Sequence, residues 1–223
     1  MNDPREKSHL DIREHLKFFS ELAAEFFVQG EEAPPPSENS PLKALEERVL
    51  GCLKCPLAKT RTQAVPGEGN AAAALMFVGE GPGHDEDVQG RPFVGRAGQL
   101  LTKIINAMGF QRMDVYITNM VKCRPPNNRN PNSQEIELCQ DYLFEQIEMI
   151  QPRVIVTLGN VPTQYFLKTR SGITSLRGKF HDSPKYRIMP TFHPSYLIRN
   201  EGNRELRRQV WDDMQQVMSY LKE

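Results

Sequence analysis

Ala74-Leu75-Met76-Phe77-Val78-Gly79-Glu80-Gly81-Pro82-Gly83 runs through five apolar residues and then breaks into three glycines and a proline. An unbroken apolar run of this length, closed by turn residues, is the pattern of a strand buried on both faces. Three more runs rich in β-branched and aliphatic residues read the same way: Val115–Thr118, Val154–Leu158 and Tyr186–Pro190, with Pro190 expected to end the last. Helical periodicity fills the gaps, over Ala97–Met108, Ser133–Ile150 and Val161–Lys168. A closing helix near Arg204–Leu221 puts Leu206, Val210, Met214, Val217 and Leu221 on one face. Strand–helix alternation predicts an α/β fold: a three-layer α/β/α sandwich around a short, mainly four-stranded parallel sheet.

The unusual polar segments follow directly after these strands: the turn Gly79–Gly83, then Asn119, then His193-Pro194-Ser195. In open α/β sheets the ligand crevice lies beyond the carboxyl ends of the strands, so three separate segments are expected to converge on one site. The glycine turn is neither a Walker A loop nor GxGxxG, because no Gly-Lys-Ser/Thr follows and position 84 is His. Taken alone it reads first as a plain tight turn, and otherwise as a place where backbone approaches a ligand. Phe93, between Pro92 and Val94-Gly95, reads as a buried plug or as a stacking platform for a flat ligand. His193 has the better setting among five histidines, His84 borders the glycine loop, and His9, His15 and His181 lie away from it.

The 223 residues suit one α/β domain, here residues 41–223, preceded by an extension over 1–40. In the extension an amphipathic helix is expected over 9–28, then the proline-rich linker Glu31–Ser37, with an unidentified protein partner as one use for it. No apolar run approaches the roughly 20 residues of a bilayer span, and no signal peptide opens the chain, so no membrane role and a cytoplasmic location are expected. Net charge is zero, but residues 1–50 hold 11 acidic and 6 basic side chains against 17 and 22 in the remainder. The mildly basic body is compatible with a phosphate backbone without pointing to one. Cys52-x-x-Cys55, Cys123 and Cys139 are separated by 2, 67 and 15 residues. In a reducing compartment such a set suits zinc or an iron–sulfur cluster, and a buried structural thiol is the plain reading of Cys139.

Four stretches together carry a resemblance: Gly79–Gly83, Gly90-Arg91-Pro92-Phe93-Val94-Gly95, Thr118-Asn119-Met120-Val121-Lys122-Cys123-Arg124-Pro125-Pro126, and His193-Pro194-Ser195-Tyr196-Leu197. With the four cysteines they resemble the family 4 uracil-DNA glycosylases, over about residues 42–222. The resemblance implies a uracil-DNA glycosylase-like fold and a monomer that excises uracil from single- or double-stranded DNA in base excision repair. It implies a structural 4Fe–4S cluster held by Cys52, Cys55, Cys123 and Cys139. It implies that Phe93 stacks on the flipped uracil, that Asn119 reads its pyrimidine edge, and that Glu80, Gly81 and Pro82 line the base. Glu86 would exclude the methyl of thymine, and Leu197 would wedge into the duplex.

Excision breaks the C1′–N1 bond, and negative charge grows on the uracil O2 oxygen. His193 suits the role of donor to that oxygen. Relatives in family 1 place an aspartate where this chain has Gly81, so water activation passes to Glu80, Glu86 or Asn128, in that order. Two other readings stay open: a uracil or single-strand DNA binding module with the same pocket, and a zinc-dependent nucleotide hydrolase. A basic loop with Lys-Arg-Arg-Ile-His marks one tight-binding relative, and Arg124–Pro131 lacks that histidine, which favours the turnover enzyme.

Overall fold

A computed structural model describes residues 40–223 of the chain. The helix expected over 9–28 and the linker after it lie outside the described residues. All four apolar runs form strands: β2 (Leu75–Gly79), β3 (Tyr116–Asn119), β4 (Val154–Leu158) and β6 (Arg187–Thr191). Two-residue edge strands, β1 (Glu68–Gly69) and β5 (His181–Asp182), complete a six-stranded sheet in the order β1-β3-β2-β4-β6-β5. The four inner strands are parallel and the edges antiparallel. Phe77 lies level with Ile117 on one side and Val156 on the other. Pro190 does not end its strand as expected; it lies level with Thr157, and β6 continues to Thr191.

Eight helices of the described residues pack around this sheet: α1 (Pro41–Leu50), α2 (His84–Gln89), α3 (Arg96–Ala107), α4 (Ser133–Ile150), α5 (Asn160–Phe166), α6 (Ile173–Leu176), α7 (Pro194–Arg199) and α8 (Arg204–Lys222). Local chemistry sets their starts. The Ser40 side chain accepts the Lys43 amide at 3.2 Å, with Pro41 in the first turn of α1. Asn132 and Glu135 form a reciprocal capping box at α4, each side chain accepting the other's amide at 2.8 Å. None of these helices is long and apolar enough to cross a membrane.

Side chains alternate across a strand, and this divides the core into two layers. Met76 and Val78 face α1 and α4, packing with Leu45, Val49, Leu143 and Ile147. Leu75 and Phe77 face α3 and α8, packing with Leu101, Ile105, Met214 and Val217. The layers are those expected from the continuous apolar runs. The chain leaves β2 through α2 and α3 to reach β3, then crosses to the other face through α4 to reach β4. β3 and β4 therefore flank β2 on opposite sides, and a crevice opens where the winding changes direction.

Candidate active site

The carboxyl ends of β2, β3, β4 and β6 border one crevice of about 690 Å³, lined by the turn after Gly79, by Phe93, Asn119 and His193, and by Gly159 after β4. The three segments expected to meet do meet. Asn128, on a 3-10 turn at Pro126–Asn128, and Tyr196 and Arg199, on α7, complete the rim.

Asn119 forms the floor. It is 2% exposed, and its Oδ1 is the buried side-chain oxygen among the described residues that has no hydrogen-bond partner. Leaving a buried amide oxygen unpaired costs about 1–3 kcal/mol, which an entering donor recovers. The main-chain carbonyl of Asn119 is held from below by Lys122, whose buried Nζ donates to it at 2.8 Å, to Thr118 Oγ1 at 2.6 Å and to Gln146 Oε1 at 2.7 Å. Burial lowers the Lys122 pKa to about 7, opposed by the nearby Cys139 and Cys123. Gly79 makes the close packing above the floor possible: a Cβ there would lie 2.5 Å from Phe93 Cζ and closer still to Asn119 Oδ1.

Phe93 is 6% exposed and has φ +53°, a left-handed backbone that bulky residues avoid. Its ring is 5.8 Å from the His193 ring, tilted 35°. Phe93 is buried, as the plug reading expects, and it also borders the crevice.

His193 caps α7. Its Nδ1 accepts the Ser195 amide at 3.1 Å and lies 2.7 Å from Ser195 Oγ. An Nδ1 that accepts an amide carries no proton, so in the neutral ring the proton is on Nε2. Burial, and then the positive charge of Arg199, lowers the His193 pKa to about 4. The crevice therefore presents a neutral imidazole with an Nε2–H donor.

The three residues expected to handle water differ in their bonding. Burial raises the Glu80 pKa, and its carboxyl makes no hydrogen bond with the described residues. Glu86 is a strap: its Oε1 accepts the Val94 and Gly95 amides at 2.9 Å each, and its Oε2 accepts Gly83 at 3.1 Å. Three amides engage most of its acceptor sites, so Glu86 ties the glycine turn to the Phe93 loop while also lining the crevice. Asn128 is exposed, and its Oδ1 accepts Arg124 Nε at 2.7 Å. Pro82 lines the crevice beside Gly81, where a Cβ would lie 2.8 Å from Val121 Cγ2, so a side chain there would have to displace that methyl group.

Leu197 does not reach the crevice. It is 3% exposed and packs with Phe192 and Val210. The turn of α7 directs it inward and brings Tyr196, 39% exposed, to the rim instead. A wedge at Leu197 would have to leave the core, and that expectation is corrected.

A second cluster lies on the α4 side. Cys123 and Cys139 are buried in the core layer against which Cys52 and Cys55 pack. Cys123 Sγ accepts Arg61 Nη1 at 2.9 Å, and Cys139 Sγ accepts the Lys122 amide at 3.3 Å. The four sit near enough to feel one another's charge, Cys139 and Cys55 acting on Cys123, and Cys55 and Cys52 on Cys139. Burial pushes the Cys123 thiol up to about 11 and raises that of Cys139 as well. Among the described residues no three Cys, His, Asp or Glu side chains gather around a single metal ion.

Several residues of the site carry weak sequence signals. Gly98 interrupts an apolar helical pattern, and Lys122 interrupts an apolar stretch between Val121 and Cys123, and both could have been questioned. Arg112 and Glu68 give no local sign of their part in holding the Phe93 loop.

Comparison with known proteins gives a consistent result. Residues 66–215 match the family model of the uracil DNA glycosylase superfamily. The chain is 49% identical over 183 residues to the type-4 uracil-DNA glycosylase of Thermotoga maritima, covering 81% of this chain and 95% of that one. It is 44% identical to the type-4 uracil-DNA glycosylase of Saccharolobus solfataricus, over 80% of this chain and 87% of that protein. It is 47% identical to that of Sulfurisphaera tokodaii, over 74% and 79% respectively.

Proposed function

This chain belongs to the type-4 uracil-DNA glycosylases, within the uracil DNA glycosylase superfamily, and we propose that its strand-end crevice flips and excises uracil through the residues named here. The chain excises uracil from DNA in repair, hydrolysing the N-glycosidic bond and leaving an abasic site. The observation that carries the site assignment is the unpartnered Oδ1 of Asn119, buried beside Gly79 and Phe93. Uracil offers N3–H to that oxygen and O4 to the amide nitrogen, whereas cytosine offers the reverse pattern. Phe93 supplies the stacking face. Flipping costs a few kcal/mol, less in single strands or at a mismatch.

The C1′–N1 bond breaks with its electron pair going to N1 and spreading to O2. His193 donates Nε2–H to that oxygen as a neutral imidazole, so it stabilises the growing charge without giving up its proton. A water oxygen then bonds to C1′ and loses a proton to Glu80, whose carboxyl makes no hydrogen bond with the described residues. The uracil anion takes up a proton from solvent after release. Glu86 and Asn128 shape the loops around this step.

Cys52, Cys55, Cys123 and Cys139 are the ligands of a 4Fe–4S cluster in this reading. Their shared burial and the N–H donors on Cys123 and Cys139 sulfurs support it. When bound, the cluster would supply a cross-link between the segment after α1, the loop after β3 and α4, and the residues named above would carry the bond breaking.

The test is single-turnover excision from an oligonucleotide with one uracil, read as alkali-labile cleavage. Asn119→Ala should lose about 1–3 kcal/mol of transition-state binding, roughly 5- to 150-fold in rate at subsaturating enzyme. Unchanged kinetics would remove Asn119 from the pocket.

A further inference from the structure

Phe93 combines a large ring with a backbone conformation natural to glycine, and the surrounding contacts show what holds it there. Gly98 on α3 provides the seat, because a Cβ at that position would overlap the main-chain carbonyl of Phe93. Arg112 provides the clasp. Its Nη1 donates to Phe93 O at 3.1 Å and to Thr102 Oγ1 at 3.0 Å, and its Nη2 donates to Pro92 O at 2.7 Å. The Nε donates to Glu68 Oε1 at 3.0 Å, and Nη2 also pairs with that oxygen. All five N–H donors of the guanidinium are thereby engaged, leaving none for a DNA phosphate. Glu68 lies on β1, level with Ile117 of β3, so the clasp is fixed to the sheet edge. Its other oxygen accepts Arg91 Nε at 2.8 Å, from the same loop as Phe93.

We propose that Arg112, anchored by Glu68, is a positioning residue for uracil excision: it holds Phe93 in its left-handed turn and so keeps the ring aimed at the flipped base. This rests on the reading of Phe93 as the stacking surface. Without the clasp the loop relaxes towards an ordinary backbone, and the fraction of molecules with a usable ring falls. Apparent affinity falls in proportion to that fraction.

The experiment is a double-mutant cycle on the full chain with its cysteine site loaded. The quantity measured is the equilibrium affinity for an oligonucleotide with one 2′-fluorinated deoxyuridine, which resists cleavage, relative to the same oligonucleotide with thymine. Arg112→Gln should lower the uracil-specific affinity roughly tenfold, or about 1.4 kcal/mol, and leave affinity for the thymine control unchanged. Arg112→Lys keeps the charge but loses the fork, and should behave like Arg112→Gln. Glu68→Gln should move affinity in the same direction by less, and serves where an Arg112 variant fails to fold. In a Phe93→Gly background, where the left-handed turn is free of strain and the ring is gone, Arg112→Gln should cost nothing further. Full additivity in that background, equal loss on the thymine control, or wild-type affinity in Arg112→Lys overturns the proposal. If Phe93→Gly itself leaves uracil-specific affinity intact, the stacking assignment has failed and the clasp falls with it.

Discussion

Gly79→Ala is the smallest change that tests the crevice. The φ at Gly79 is not in the left-handed region, so alanine meets no backbone strain, and its whole effect is the added methyl group. That carbon would lie 2.5 Å from Phe93 Cζ and nearer to Asn119 Oδ1, so both must retreat by roughly 1 Å to reach ordinary contact. Neither has room. Asn119 is at the end of a buried strand, and the Phe93 main chain is held by Arg112 and seated on Gly98. Overpacking of this kind costs about 1–3 kcal/mol of stability, which a domain of this size survives. Recognition suffers more, because a 1 Å misplacement of positioning groups can cost about 100-fold in rate. The assay pairs urea unfolding with single-turnover excision from a single-uracil oligonucleotide. Gly79→Ala should remain folded, with a midpoint shifted by no more than that cost, and excise about 100-fold more slowly. A folded variant within about threefold of the wild-type rate, less than 1 kcal/mol, would show that the Asn119–Phe93 floor does not read the base.

Other outcomes follow from the same geometry. The His193 pKa of about 4 lies below its ordinary 6.5, so the unfolded chain binds the proton first; stability is full above pH 6.5 and declines as pH falls towards 4. The slope should be about 1.4 kcal/mol per pH unit within that window, and urea unfolding of His193→Gln at pH 7.5, 6.5 and 5.5 should lack this component. Equal slopes in the two proteins would mean that His193 is not held neutral. Cys139→Ser should lower bound iron, measured per chain, together with the visible absorbance of the purified protein; undiminished iron would exclude Cys139 as a ligand. Leu197→Ala should lose about 2–5 kcal/mol of stability as a core truncation. Tyr196→Ala should leave stability nearly unchanged and weaken DNA binding by about 1–3 kcal/mol if its ring stacks at the rim, and the reverse pattern would restore Leu197 as the wedge.

The sheet was legible because burial on both faces leaves a simple mark. Ala74–Val78 and Val154–Leu158 have to be apolar at every position, and the observed strands differ from the expected ones by a residue or so at the ends. α4 was legible from its helical periodicity over Ser133–Ile150, and the Asn132–Glu135 box seen in the structure fixes the start at that first residue. The edge strands β1 and β5 were not, since two residues carry no period. α7 was equally hidden, and with it the facing of Leu197 and Tyr196. Their spacing from His193 places both near the site, and only the turn of a six-residue helix decides which of them points inward.

The site divides along the same line between local and distant causes. Asn119 and His193 could be brought to one edge by topology alone, because Asn119 ends β3, His193 lies two residues past β6, and strand ends converge. The bonding of Glu86 was not legible, because a carboxylate in a loop near a crevice resembles an acid–base group, while its partners, the amides of Gly83, Val94 and Gly95, depend on how two loops lie against each other. The Phe93 clasp is more distant still. Arg112 is 19 residues from the carbonyl it holds and 44 from the carboxylate that anchors it. Its five donors are satisfied by groups drawn from β1, the Pro92–Phe93 loop and α3, and such a node exists only once those elements have packed. A residue such as Asn119 that is read as touching the ligand has a particular chemistry and a position at a strand end, and both are visible in sequence. One that acts through another residue needs only reach and charge, which any of the chain's 28 lysines and arginines could supply on paper.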